Sequence, residues 1–411
     1  MKRQTRRISD ESLKDQIASV DFSKPSSQKN DDRQAQDGGS PSESADVNIN
    51  FVDSTEDSPH GGHHHRKKSR HKRKLTKKEK LRRRLIIIIA ILLFIITALL
   101  AAFLIIRHFG KALLFPTSLD LTLPDGIDAS LLDNGMIIEY NGKTYMFNTD
   151  VTSVLFLGVD QEEFGTQAYG SAGQSDAIYL LAYDTATGEA NFISIPRDSM
   201  VDVDIYTSSG NYTGTVYEQI CLAYAYGDGQ DESCENVITS VSRLIYGIPI
   251  SSYFAVDLSA VAPINDSIGG VTLTVIEDIP GFEEGETVTL MGADAMTYIR
   301  YRDTTVLTSN LNRLERQKQY IYAFVEKLIP SVKNDISVVL DLYNTALDYT
   351  VTNINAAKIT YLATTFARSS VEEINIETVE GETIMGEYYA EFYPDETALF
   401  ELMLEVYYNE I

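Results

Sequence analysis

The sequence predicts an α/β fold, a single domain whose helices cover a mixed central sheet, preceded by one transmembrane helix. Three observations carry that expectation. The run "LIIIIAILLFIITALLAAFLII", 85–106, holds 22 residues without a charge. At about 1.5 Å per residue it reaches roughly 33 Å, enough for the hydrocarbon core of a bilayer. Beyond it, strand-like and helix-like patterns alternate, as they do where helices cover a sheet. Charge divides at the same place: residues 1–84 carry 21 Lys and Arg against 13 Asp and Glu, whereas residues 85–411 carry 14 against 46. Segments so different in charge face different surroundings.

Up to residue 65 the N-terminal segment is rich in Ser, Asp, Gln, Asn and Gly. Its scattered apolar residues bury too little surface to offset the entropy of ordering, so an unstructured tail is expected. The basic run "RKKSRHKRKLTKKEKLRRR", 66–84, directly precedes the apolar run, and Arg107 and Lys111 follow it closely. The positive-inside rule places the N-terminus in the cytoplasm and residues 107–411 outside. A basic run in that position reads as a topology signal against anionic lipid heads, and no nucleic-acid partner is expected. The leader of 84 residues is too long for a cleaved signal peptide.

Past the membrane, "MIIEYNGKTYMFN", 136–148, sets two apolar-rich runs around Asn141-Gly142, the pair that supplies the positive φ of a tight hairpin. "TSVLFLGVD", 152–160, reads as a buried strand ending at Asp160, and "DAIYLLAYDTATGEANFISIPRD", 176–198, as two buried strands around a turn at 184–189. "DESCENVITSVSRLIYG", 231–247, reads as a helix with Asp231 as N-cap and Gly247 at its stop. "SSYFAVDLS" and "GGVTLTVI" read as strands. In 310–329, Leu314, Ile321, Phe324, Val325 and Leu328 recur at helical spacing. Helical patterns at 331–347, 355–368 and 394–409 complete the chain. The expected organisation is a tail at 1–84, a transmembrane helix at 85–106, a connector with a hairpin at 107–149, the main domain at 150–335, and a helical extension at 336–411 packed on it. Cys221 and Cys234 lie on the outer side, where a disulfide persists if formed; bridged and free alternatives both stay open.

All six histidines, His60, His63, His64, His65, His71 and His108, precede the outer domain. That excludes a Ser-His-Asp or Cys-His nucleophile there, and a histidine-ligated zinc. Carboxylates, arginines, hydroxyls and an oxygen-preferring metal such as Mg²⁺ remain. Arg300, Arg302, Arg313, Arg316 and Lys318 stand close together in an acidic segment. A solvated helix face paired with nearby acids is one reading. Phosphate recognition is the other, because the guanidinium fork grips phosphate oxygens in bidentate fashion. Arg300 and Arg302, two apart, share a face only if the chain is extended there. Arg313, Arg316 and Gln317, at i, i+3 and i+4, share a helix face. Asp160, Asp176 and Asp198 stand at strand ends; with the arginines they suggest Mg²⁺ bridging carboxylates and a diphosphate.

The stretches "FLGVD", "SDAIYLLAYDTATGEANFISIPRDSMV", "LAYAYG", "SYFAVDLSAVAPINDSIGGVTLTV", "GADAMTYIRYR" and "NRLERQKQ" occur in this order. Their order and spacing over about 150–330 resemble the LytR-CpsA-Psr family of Gram-positive envelope proteins. The resemblance implies an α/β/α domain and a Mg²⁺-assisted transfer at the cell membrane. An anionic glycopolymer, of the teichoic acid or capsular polysaccharide type, would move from a polyprenyl-diphosphate carrier to peptidoglycan, with the lipid tail in an apolar tunnel. It also implies that Asp160 and Asp176 bind the metal, that Arg197, Arg300 and Arg302 match the family's arginines, and that Arg313 and Gln317 match its following helix. We add Arg316 to the substrate-binding set from its helix face, and take Asp198 or a metal-bound carboxylate as candidate base. The chain departs from the family pattern at Gln174, commonly Arg, at Gln219, Ile220 and Cys221, commonly Lys-Ile-Asn, and at "SNLNR". A non-catalytic receptor for polyprenyl phosphates or wall polymers, and a polyprenyl-diphosphate hydrolase, remain alternatives.

Overall fold

The computed structural model of the chain describes residues 76–411 apart from 116–118, 125, 162–163, 166, 303–308 and 370–373, and the side chains of 309–311 also lie outside the description. The expected unstructured tail lies outside the described residues as far as residue 75.

Helix α1 (Lys77–Leu114) opens with a capping box: Glu79 N donates to Thr76 Oγ1 at 3.3 Å, and Thr76 N donates to Glu79 Oε2 at 2.8 Å. It then runs for 38 residues, about 57 Å. By length and composition it is able to cross a membrane, and its most apolar stretch is unburied. Strands β1 (Ala129–Leu132), β2 (Ile137–Tyr140) and β3 (Lys143–Phe147) follow. Asn141 and Gly142, at φ 50° and 74°, turn β2 into β3 with Tyr140 opposite Lys143, the hairpin expected from that pair.

Next come β4 (Val151–Val159), β5 (Ser175–Asp184) and β6 (Ala190–Ile195), then a hairpin of β7 (Met200–Tyr206) and β8 (Tyr212–Gln219). Helices α2 (Leu222–Ala225) and α3 (Asp231–Leu244) lead to β9 (Ser252–Val256) and α4 (Val261–Ser267). Strands β10 (Val271–Thr274) and β11 (Thr287–Leu290) pair with each other, and α5 (Ala293–Arg300), α6 (Ser309–Asn334) and α7 (Ser337–Ala346) follow. The chain continues through β12 (Thr350–Thr352), α8 (Ala356–Phe366), β13 (Asn375–Thr378), β14 (Gly381–Met385), β15 (Ala390–Pro394), α9 (Glu396–Tyr407) and β16 (Tyr408–Glu410).

Among the described residues the central sheet runs β12-β9-β4-β5-β6-β13. Strand β9 is parallel to β4 and β13 to β6, while the β4–β5, β5–β6 and β12–β9 pairs are antiparallel, so the sheet is mixed. Its strands read as continuous apolar runs because both faces are covered. On one face Leu155, Leu157, Ile178, Leu180, Ile193 and Ala255 are fully buried in a core shared with Val237 and Val241 of α3 and with Leu399 and Met403 of α9. On the other face Phe156, Leu181, Phe192, Phe254 and Val256 are only half-buried and stand outside that core. The Phe156 ring lies 6.1 Å from Phe192 and 5.9 Å from Phe254. Helix α6 lies over this second face: Glu315 is within electrostatic reach of Tyr179, and Tyr322 Oη accepts from Ile376 N at 3.0 Å. Its Leu314, Ile321, Val325 and Leu328 are half-buried too, while Tyr320, Ala323 and Phe324 pack on a second core of Val271, Leu273, Leu290 and Tyr298.

The last two turns of α1 dock on α8. A Cβ on Gly110 would meet Ala357 O at 2.1 Å, so only glycine allows this approach. Arg107 Nε donates to Thr364 Oγ1 at 3.2 Å and its guanidinium lies 5.0 Å from the Tyr361 ring. Thr152 Oγ1 donates to Leu114 O at 2.9 Å, so α1 ends beside the start of β4. Asp160 follows the far end of that strand, nine residues on, about 30 Å away.

Three expectations need correction. Helix α3 begins one residue earlier in its cap: Gln230 is the N-cap, and Asp228 Oδ1 takes the capping bonds from Gln230 N at 2.8 Å and Ser233 N at 3.2 Å. Asp231 instead accepts from Tyr253 Oη at 2.5 Å. Residues 336–411 are more than a helical extension, since β12 and β13 form both edges of the central sheet and α9 enters its core. Cys221 and Cys234 are both free and buried, so the bridged alternative falls.

Candidate functional site

Antiparallel pairing of β4, β5 and β6 brings the end of the first, the start of the second and the end of the third side by side. Asp160, Asp176 and the Arg197–Asp198 pair therefore converge. A register shift between Gly158 and Val159 bends the end of β4, and Asp160 N donates to Gln174 O at 2.9 Å. Arg197 sits at the centre. Its Nη1 bonds Asp176 Oδ1, its Nη2 donates to Gln174 Oε1 at 2.7 Å, and its Nε lies 3.4 Å from Asp198 Oδ1.

The remaining arginines arrive from the other side. Arg300 is the last residue of α5, and its Nη2 lies 3.7 Å from Asp160 Oδ1. Tyr301 is extended at φ −51°, ψ 135°, which carries Arg302 onward to within electrostatic reach of Asp198. Arg313 of α6 is within reach of Asp176, Asp198, Arg197 and Arg302. Burial raises the Asp176 carboxyl above its ordinary value; Arg197 opposes the shift and the charge of Asp160 adds to it. Burial likewise raises Asp198, against the pull of Arg197, Arg313 and Arg302. Burial lowers Arg313, and its neighbours Arg302 and Arg197 add to the effect. Guanidinium groups so placed stay protonated.

Two predicted residues are elsewhere. Arg316 is 1% exposed: it pairs with Glu277, donates from Nε to Tyr298 O at 2.9 Å and from Nη2 to Tyr301 O, and lies 5.7 Å from the Tyr301 ring. Gln317 Nε2 donates to Ile299 O at 3.2 Å. Both bind the backbone around Arg300, so they hold the α5 terminus that carries that side chain. Residues missed from sequence include the segment of β15, where Phe392 N donates to Asp198 O at 2.9 Å. Gln219 Nε2 joins it, donating to Asp198 Oδ1 at 3.2 Å and Ala390 O at 2.7 Å.

A family model described as the LytR_cpsA_psr family matches residues 133–405. The chain belongs to that family. Similar members include TagU of Oceanobacillus iheyensis, named a polyisoprenyl-teichoic acid–peptidoglycan teichoic acid transferase, 28% identical over 178 residues, or 42% of this chain and 50% of that protein. TagT of Bacillus subtilis, named for the same activity, is 29% identical over 189 residues, or 43% of this chain and 53% of that protein. The chain thus spans about half the length of these relatives. The crystal structure of B. subtilis TagV has the same fold, with a TM-score of 0.50 and 24% identity over 63% of this chain and 96% of that one.

Among the described residues no group of three or more His, Cys, Asp or Glu is placed to hold an ion by itself. Asp160 and Asp176 offer two carboxylates that feel each other's charge. Mg²⁺ commonly takes one or two carboxylates and completes its shell with phosphate oxygens and water, so the pair fits an ion that arrives with a diphosphate.

Proposed function

We propose that the chain is a membrane-anchored phosphotransferase that moves an anionic glycopolymer, of the teichoic acid or capsular polysaccharide class, from a polyprenyl diphosphate to peptidoglycan. One observation carries this reading: a cluster of arginines and carboxylates stands at one end of a half-filled apolar sheet face. A diphosphate ester of a long lipid needs both parts together. Its headgroup is anionic and its tail apolar, and the half-buried Phe156, Leu181 and Phe192 lie along the strands whose ends form the cluster. The names of the relatives support the teichoic acid class. Helix α1 would span the membrane with the N-terminus in the cytoplasm and the domain outside, as the flanking charges indicate.

In this reading Arg197, Arg300, Arg302 and Arg313 hold the diphosphate oxygens. Asp160 and Asp176 would hold Mg²⁺, which when bound supplies charge neutralisation on the leaving lipid phosphate. A peptidoglycan hydroxyl attacks the phosphorus that bears the glycopolymer. The bond from that phosphorus to the bridging oxygen breaks, the lipid leaves as its monophosphate with the electron pair, and Asp198 takes the hydroxyl proton. Its raised pKa brings it closer to neutral pH, as a base requires. Positioning and charge stabilisation carry such a transfer.

The test uses the full chain in detergent micelles, a polyprenyl-diphosphate-linked sugar and a peptidoglycan fragment. Sugar phosphate attached to the fragment, with lipid monophosphate released in step, supports the transferase. Donor binding without turnover points to a receptor, and lipid monophosphate released without acceptor points to a hydrolase; either result overturns the proposal.

A further inference from the structure

Hairpin β14–β15 borders the candidate site, where Phe392 N donates to Asp198 O. Ala390 begins β15, and its carbonyl shares the Gln219 amide with the Asp198 carboxylate. The turn just before it carries Tyr388 and Tyr389, which are 75% and 72% exposed, and the end of β14 adds Met385 at 79%. Tyr393 and Ile384 stand exposed on the strands, and Tyr217 of β8, exposed as well, lies within electrostatic reach of Glu391 and Tyr393. Exposed large side chains grouped in this way mark a binding surface.

Three features choose the ligand. First, the surface adjoins Asp198, the group that must meet the attacking hydroxyl. Second, it adjoins the site end of the sheet, a strand's length from where α1 meets β4. Third, residues 381–394 hold Glu382, Glu387 and Glu391 and no Lys or Arg. Such a surface repels a polyanionic donor chain and accepts a neutral one. Tyrosine offers a flat apolar ring with a polar tip. Sugar rings match it, with an apolar face of C–H groups and hydroxyls at the rim, and Glu391, which already accepts from Tyr393 Oη at 2.7 Å, is an acceptor beside the rings.

We propose that the β14–β15 hairpin is the acceptor-docking surface, holding an uncharged glycan strand on Tyr388 and Tyr389 and presenting one hydroxyl to Asp198. The inference rests on the transferase reading. Two measurements on the full chain in micelles separate it from that reading. In the transfer assay, Tyr388→Ser with Tyr389→Ser should raise the KM for the peptidoglycan fragment about tenfold and leave the donor KM within about twofold. Tyr388→Phe with Tyr389→Phe should retain the wild-type acceptor KM, since the rings remain. Unchanged acceptor KM in the serine variant, or an equal rise for donor, overturns the inference while the transferase stands. If the wild-type chain transfers nothing, the transferase reading fails, and titration with an uncharged N-acetylglucosamine oligomer still decides the surface. Binding lost in the serine variant supports it; no binding by the wild type, or loss of binding to anionic vesicles instead, overturns it.

Discussion

Leu180 and Leu181 are neighbours in β5 with opposite fates. Leu180 points into the core beneath α3 and α9 and is completely buried. Leu181 points to the other face, beside Phe192, and is half-buried under α6. In sequence the two faces look alike, because both are apolar and the strands read as unbroken hydrophobic runs. They differ in what covers them. One is closed by side chains at the density of a protein interior; the other faces a helix whose apolar residues leave it partly open. Continuous apolar strands thus indicate that both faces are covered, and leave open whether a side chain or a ligand does the covering.

The largest effect tests the closed face. Leu180→Ala should cost about 2–5 kcal/mol of stability, because the cavity it leaves is walled by packed neighbours. Leu181→Ala should cost clearly less, with denaturant unfolding of the two variants as the measure; equal costs would erase the distinction between the faces. At the charged end of the open face, Arg300→Ala with Arg302→Ala should lower transfer by roughly 10²–10³-fold without lowering the unfolding midpoint, since both side chains are exposed. Leu181→Trp should crowd the half-buried face. Transfer from long-chain carriers should fall more than transfer from short-chain ones, and a loss independent of chain length would remove the lipid from this face.

The smallest effect is the titration of Asp198. Its folded pKa is raised, so the stability it contributes is present below the unfolded value, near 3.9, and is lost as pH rises through the folded value. Asp198→Asn does not titrate. It should therefore unfold at a slightly higher temperature than wild type at pH 7, with the gap closing as pH falls, and should lose transfer at every pH. In the wild type, transfer should rise with pH through a value above the ordinary aspartate one. A midpoint at or below that range would exclude Asp198 as the base.

Much of this architecture was legible in the residues. Asn141-Gly142 marked a hairpin through its backbone chemistry, and the acids at 160, 176 and 198 marked strand ends that pairing brings together. Helical spacing put Arg313, Arg316 and Gln317 on one face of α6, yet Arg313 lies near the carboxylates while Arg316 and Gln317 meet backbone. It did not say which neighbour that face meets, and the answer, the backbone of α5 and Tyr301, depends on contacts between elements. Asp231 looked like a cap because its type and place fit; Asp228, three residues earlier, instead accepts from Gln230 N and Ser233 N. The strands after residue 335 were harder still. Strand β13 is short and pairs with β6, almost two hundred residues away in the chain, so local pattern carries little of the information that places it.

In the proposed function one sheet face is core and the other holds a lipid tail. Photo-labelling measures this directly: the full chain in micelles is incubated with a polyprenyl diphosphate bearing a diazirine along its tail, irradiated and mapped by peptide mass spectrometry. Label is expected on Phe156, Leu181, Phe192, Phe254 and the facing residues of α6, and none on Leu155, Leu180 or Ile193. Label confined to α1 and the outer surface, with the open face unmarked, would contradict the proposal.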